Sequence, residues 1–266
     1  MARYHLDRRT LLRHLAAAPF VAWGCGGSST KTPDPDATSV DTAFPKTWAM
    51  GGTVAMTDKA TYPDPFTGAA TTCVVVASTT DGPCTTPSDL SRGDISEGWG
   101  GLPMRLALRI VDASCNPVAG AIVKVWHTNI GGSYSGATPN NGLCLKQPSY
   151  ASLNFHRGVQ TTNRAGVVYF DTCFPGWYPG RAIHIHFQVK TAQTSYRISQ
   201  LFFPEALTKE LFGAHAEYVP YGQPNTTFAN DGVMAGIPSA SRAALICETA
   251  QMTDGALLAS KTVTVI

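Results

Sequence analysis

Arg181-Ala182-Ile183-His184-Ile185-His186-Phe187-Gln188-Val189 carries the reading of the fold. Apolar and polar residues alternate along it, and in a β-strand residues two apart share a face. Ile183, Ile185, Phe187 and Val189 therefore line one side, and His184, His186 and Gln188 the other. The apolar side requires a second layer to cover it. The other side sets two imidazoles next to each other on a rigid element, a common way to hold a metal ion. Taken alone, such a pair fits two hydrogen-bonded sheet histidines, or copper or zinc, as well as iron.

Further out, short apolar runs recur at 73–77, 104–111, 121–127, 166–170, 182–191, 196–203, 244–248 and 261–266, separated by Gly, Pro, Asn and Asp. Most are β-branched or aromatic and too short for helices, the pattern of an antiparallel sandwich or barrel. Residues 204–213 (PEALTKELFG) have a helical period and predict one surface helix of about two to three turns. Abundant Gly (25) and Pro (18) beside only 14% charged residues favour strands and turns over long helices. The fold class is thus all-β: an antiparallel β-sandwich with long loops and little helix. At 266 residues one domain with a full core is affordable, and no internal repeat divides it. A net charge of +2, with no basic run after the first fourteen residues, excludes a nucleic-acid binder.

The N-terminus reads as a targeting segment. Asp7-Arg8-Arg9-Thr10-Leu11-Leu12-Arg13 resembles a twin-arginine export signal, and the weakly apolar stretch at 15–24 is too short to span a bilayer. Val21-Ala22-Trp23-Gly24-Cys25 resembles a lipobox, with Cys25 as the lipidated residue; ordinary cleavage nearby is the alternative. The expected organisation is a signal peptide over 1–25, a flexible Ser/Thr/Pro/Asp-rich linker over 26–46, and a sandwich domain over 47–266. The protein is expected to be exported, periplasmic or at the cell surface, with a lipid anchor at Cys25 as one outcome. Removing Cys25 from the seven cysteines leaves six, enough for up to three disulfides in an oxidising compartment. Cys73–Cys84 is the favoured pair because the separation is short. The absence of a CxxC argues against a zinc ribbon or a thioredoxin-like site.

Directly before Arg181 lies Pro175-Gly176-Trp177-Tyr178-Pro179-Gly180, a turn that sets Tyr178 at the mouth of the same strand. Upstream, Val123-Lys124-Val125-Trp126-His127 leads into Gly131-Gly132-Ser133-Tyr134-Ser135. Together with Arg157-Gly158, Gly166, Arg181 to Phe187 and Gln200 to Phe203, this ordered set resembles the intradiol ring-cleavage dioxygenases. The order matches over 102–203, with weaker similarity over 73–97. The link Pro179-Gly180-Arg181-Ala182-Ile183 is shorter than in the long-form catechol enzymes and is similar to that of exported, single-domain members.

The resemblance implies Tyr134, Tyr178, His184 and His186 as ligands of one Fe(III). Phenolate is a hard anionic donor suited to a trivalent ion, which would deprotonate a tyrosine that titrates near ~10 when free. It further implies that small aromatic diols and O2 are the substrates and that a cis,cis-muconate-type diacid is the product. Tyr178 would be the ligand that leaves on substrate binding and acts as base, Arg181 would stabilise developing negative charge, and Gln200 would lie near the oxygen side. His127 is read as structural, His156 has no role, and Trp177 is either a pocket wall or a packing aromatic at the turn. The other reading of the whole chain is a non-catalytic secreted binding module with a vestigial metal site. The retention of all four donors favours the enzyme.

The export reading has a direct test. Replacing both arginines of the pair (Arg8→Lys with Arg9→Lys) is expected to leave precursor in the cytoplasm, measured by fractionation; normal export of the double variant would assign another route.

Overall fold

The alternating stretch becomes strand β5 (His184–Lys190), flanked by β2 (Ile122–Trp126) and β6 (Arg197–Phe202), with β3 (Arg157–Thr161) at the edge beside β2. This is one four-stranded sheet, in the order β3-β2-β5-β6. The other runs β4-β1-β8-β7, built from β1 (Pro103–Val111), β4 (Val167–Cys173), β7 (Glu248–Gln251) and β8 (Leu257–Thr264). These assignments come from a computed structural model that describes residues 47–265 apart from 72, 88–89, 140–141 and 193–196. The expected signal peptide, Cys25 and the linker lie outside the described residues.

The two sheets pack face to face through the residues that the strand period assigns inward. Ile185, Phe187 and Val189 of β5 and Val123 and Val125 of β2 meet Leu106, Leu108 and Ile110 of β1, all fully buried. Arg105 and Arg109 point away from this layer and are held by Asp171 and Thr262. Every strand pairing is antiparallel except β1 with β8, which run parallel. Those two strands are separated by most of the domain, so no hairpin constrains their direction.

The expected helix forms as α1 (Glu205–Ala214), with Leu207, Leu211 and Phe212 on its buried face. Three readings are corrected. Strand β3 was not expected, because Arg157-Gly158-Val159-Gln160-Thr161 has no apolar run; an edge strand buries less and tolerates polar residues. The run at 73–77 makes only an isolated bridge from Val75 to Thr264. The run at 244–248 opens in a turn of 3-10 helix, and β7 starts at its last residue, Glu248.

The favoured Cys73–Cys84 disulfide does not form. Cys73 pairs with Cys115 and Cys84 with Cys144, while Cys173 and Cys247 are free and buried. The cause is the path between the two cysteines. Val76 bonds to Thr264 of one sheet (2.8 Å) and Thr79 to Ile198 of the other (3.0 Å), so the chain crosses the sandwich and carries Cys84 away. Alkylation of unfolded, unreduced protein should therefore label only Cys173 and Cys247 of the six cysteines in the domain. Peptide mass mapping reads this directly, and a labelled Cys73 or Cys144 would contradict the pairing.

Candidate active site

Strand β5 presents His184 and His186 on the face opposite the core, and its register sets Trp126 of β2 and Gln200 of β6 on either side of His186. The Trp126 ring stacks on His186, with centroids 4.9 Å apart and planes 6° from parallel. Two loops fold over this face. The loop after β2 brings Tyr134 and the loop after β4 brings Tyr178. They dock backbone to backbone: Gly176 N–H donates to the Asn129 carbonyl (3.0 Å), and Thr128 Oγ1 donates to the Gly176 carbonyl (2.7 Å). A Cβ on Gly176 would overlap the Ile130 carbonyl, and one on Gly132, at φ +74°, would overlap the Trp177 carbonyl. Only glycine at both positions allows this approach.

The four sequence-predicted donors converge. Tyr134 Oη and Tyr178 Oη each lie 3.2 Å from His184 Nε2, and 3.4 Å from one another; His186 Nε2 is 3.2 Å from His184 Nε2. His184 Nδ1 lies 2.6 Å from the Ala182 carbonyl, which only accepts, so Nδ1 carries the proton and Nε2 turns its lone pair to the centre. Nδ1 of His186 lacks a hydrogen bond of good geometry, although the Thr80 backbone is near enough to raise its basicity.

Burial, then the Arg181 charge, pushes His184 down to about 3. Burial, then His184, holds His186 well below the usual imidazole range. Burial, then Tyr178, raises Tyr134 far above a free tyrosine, and burial also raises Tyr178, against the lowering effect of Arg181. The cluster therefore holds two neutral imidazoles and two phenols that only a cation would ionise. This arrangement fits a metal ion. Donors about 2.0–2.1 Å from a shared centre, at near-tetrahedral angles, lie about 3.3–3.4 Å apart. Among the described residues, no group of three or more His, Cys, Asp or Glu forms a metal cluster, so the two phenols distinguish this site.

Arg181 and Gln200 join the cluster. Arg181 Nη1 is 3.5 Å from His184 Nε2, and its Nη2 donates to Gln200 Oε1. Gln200 Nε2 donates to the Thr80 carbonyl (3.1 Å). The residue that fixes Arg181 escaped sequence reasoning. Asp231, 1% exposed, accepts from Arg181 Nε at 2.9 Å, from Ala182 N–H at 2.8 Å and from Val233 N–H at 2.9 Å. It sits at the N-terminus of the short helix α2 (Gly232–Ala235), about fifty residues downstream in a segment without apolar periodicity. The only sequence signal is the Asn230-Asp231-Gly232 turn.

His127 is structural, as expected. It is bonded to the Thr128 carbonyl and Thr172 Oγ1 and stacked on His156, which shares the same threonine. Trp177 packs against the core and donates to the Gly222 carbonyl (3.0 Å); it does not line the cleft. The cleft, about 310 Å³, opens onto Tyr134, Tyr178, Arg181 and His186.

Comparisons with known proteins show the same fold. Residues 85–208 match the family model described as Dioxygenase. The solved intradiol ring-cleavage dioxygenase from Tetranychus urticae is 27% identical, over 72% of this chain and 94% of that one, with a TM-score of 0.62. Two others share the fold. One is the dioxygenase domain of a carbohydrate-binding fusion from Streptomyces sp. SirexAA-E (19% identical, TM-score 0.52, 73% of this chain and all of that one). The other is hydroxyquinol 1,2-dioxygenase from Pseudomonas putida DLL-E4 (18%, 0.51, 73% and 67%). No curated protein matches the chain. The chain shares its fold with the intradiol ring-cleavage dioxygenases, and its residues 85–208 match a dioxygenase family model.

Asp231→Ala removes the partner of a largely buried guanidinium and the acceptor of two amides. The expected cost is about 3–5 kcal/mol in chemical denaturation, with Asp231→Asn smaller because one oxygen still accepts. A change below about 0.5 kcal/mol in Asp231→Ala would refute the anchoring role.

Proposed function

We propose that this protein is an Fe(III)-dependent intradiol dioxygenase that uses O2 to cleave catechol-type aromatic diols between their two hydroxylated carbons, giving cis,cis-muconate-type diacids. The convergence of two phenol oxygens and two imidazole lone pairs at 3.2–3.4 Å in a buried cluster carries this reading. Iron(III) bound there would supply a hard Lewis acid that binds the diol as its dianion and makes the ring reactive toward O2. Both oxygen atoms enter the product and the ring supplies all the electrons, so no external reductant is required.

The chain's own residues take unequal parts. His184 and His186 are held as neutral donors, His184 by the Ala182 carbonyl. Tyr134, 1% exposed and beneath the cleft, is the retained phenolate. Tyr178, 9% exposed at the mouth, is placed to take a proton from the entering diol. Arg181, beside His184, offers positive charge where negative charge develops, with Asp231 and Gln200 fixing its plane. Loops packed over the sheet bury the inner side of the site. The twin-arginine segment adds export of the folded protein to this proposal, and Cys25 a lipid anchor.

The iron-loaded protein should be red to burgundy from tyrosinate-to-iron charge transfer. Tyr178→Phe should retain iron and bind diol anaerobically, with turnover lower by about 10²–10⁴-fold and partly restored at higher pH. Tyr134→Phe should lose iron. Metal analysis, the visible spectrum and oxygen uptake read these outcomes. Unchanged colour with full iron in both variants would refute the ligand assignment.

A further inference from the structure

Outside the four donors and Arg181, the described lining of the cleft is short of charge. Leu143, Pro83 and Pro179 form much of its mouth, with Thr80, Gly82 and Gly180 between them. Leu143 is a large apolar side chain that is 44% exposed in this lining, so a ring substituent that reaches it would meet apolar surface. Its backbone is pinned. The next residue, Cys144, is disulfide-bonded to Cys84, itself part of the lining, and the Cys144 carbonyl accepts from Tyr134 N–H at 2.8 Å. Leu143 is therefore held at a fixed offset from Tyr134.

Most polar groups at the mouth have at least one partner within the protein. Arg181 spends Nε on Asp231 and Nη2 on Gln200, and its Nη1 faces His184. Gly82 N–H donates to Thr80 Oγ1 (3.0 Å) and Gly180 N–H to Asn225 Oδ1 (3.4 Å). The two prolines have no N–H. Lys146 donates to the Gly131 carbonyl and Lys124 to the Thr86 carbonyl. Asp81, between Thr80 and Gly82, adds an anion to this stretch. A carboxylate on the substrate ring would find one cation in the described lining, Arg181, two of whose nitrogens are already committed to Asp231 and Gln200, and would lose hydration against the apolar mouth.

We propose that Leu143 is a specificity-determining residue: with Pro83 and Pro179 it forms an uncharged apolar mouth that selects catechols bearing neutral apolar substituents over carboxylated ones. This rests on the reading under Proposed function and names the substrate class of that site. Methylcatechol and protocatechuate, which differ by methyl against carboxylate, are the probes. Anaerobic calorimetric binding and oxygen-uptake kcat/KM are measured on iron-loaded wild type, Leu143→Ala and Leu143→Arg. Wild type should favour methylcatechol by at least about tenfold, the scale of one apolar contact. Leu143→Arg should lower that ratio at least about tenfold, chiefly through tighter protocatechuate binding, and Leu143→Ala should weaken methylcatechol. The visible band without substrate should stay unchanged, because Leu143 is not among the donors. A wild-type preference for protocatechuate, or an unaltered ratio in Leu143→Arg, overturns the inference while leaving the dioxygenase reading intact. Failure of the iron-loaded wild type to bind either diol overturns both.

Discussion

The hydrogen bond from His184 Nδ1 to the Ala182 carbonyl, 2.6 Å long, sets the character of the site. A carbonyl cannot donate, so the bond fixes the tautomer and turns the Nε2 lone pair toward Tyr134, Tyr178 and His186. It forms because Ala182 lies two residues before His184, where the chain enters β5 still tied to Asp231 through the Ala182 amide. One carboxylate thus orients the backbone that orients the imidazole, and it also holds the guanidinium beside that imidazole. The core side of the same strand makes this arrangement rigid. Ile185, Phe187 and Val189 lock β5 against the second sheet, so the histidines cannot slip register without exposing three large apolar side chains.

Much of this was legible in the sequence because it rests on periodicity and local turns. The two-residue alternation of 183–189 fixed which side of β5 is apolar, and Pro175 to Gly180 had only one short path back to the strand. The ordered motifs supplied both tyrosines, of which Tyr134 is fifty residues from His184 and needs tertiary structure to meet it. The rest was carried by long-range geometry without a local pattern. Asp231 is one acidic residue in a loop, and its importance lies in facing Arg181 across the fold. The disulfides follow the chain's passage between sheets, which sequence separation does not encode. Strand β3 is an edge strand whose residues are chosen partly for other work: Arg157 reaches back to the Cys84 carbonyl (2.6 Å) and the Ser135 carbonyl (2.9 Å), joining the two segments that the Cys84–Cys144 bond also joins.

The electrostatics of the cluster follow from burial more than from any single charge. Desolvation is the first cause of every shift among the four donors, and it opposes ionisation in all of them. Left to itself the pocket keeps phenols protonated and imidazoles neutral. A multiply charged cation reverses this for the phenols alone, because neutral imidazole is already the form that coordinates. The site is thus poised to exchange phenol protons for a metal ion, which couples metal affinity to pH. Arg181 would oppose a cation placed here. Its ion pair with Asp231, whose side chain is fully buried, offsets that repulsion while leaving an edge of the guanidinium toward the cleft.

The disulfide Cys84–Cys144, the Arg157 bridge and the Gly132–Gly176 approach all act on the loop that carries Tyr134, and all lie within a few residues of Tyr134, Tyr178 or the cleft mouth. Loops are ordinarily the mobile part of a sandwich, yet here they hold two oxygen atoms each 3.2 Å from a strand-borne imidazole nitrogen. The chain meets that demand with covalent, ionic and backbone contacts rather than with more apolar core: the cluster around Tyr134 and Tyr178 includes only Cys84, Trp126, Cys144 and Leu145 besides the tyrosines. Rigidity supplied in this way leaves the rim free to vary. Leu143 adjoins the disulfide without belonging to the donor set, so its side chain can change while the backbone that positions Tyr134 stays fixed. The separation of a pinned inner site from an adjustable mouth would let such a sandwich, with a metal ion bound by the four donors, accept different ring substituents without rebuilding its centre.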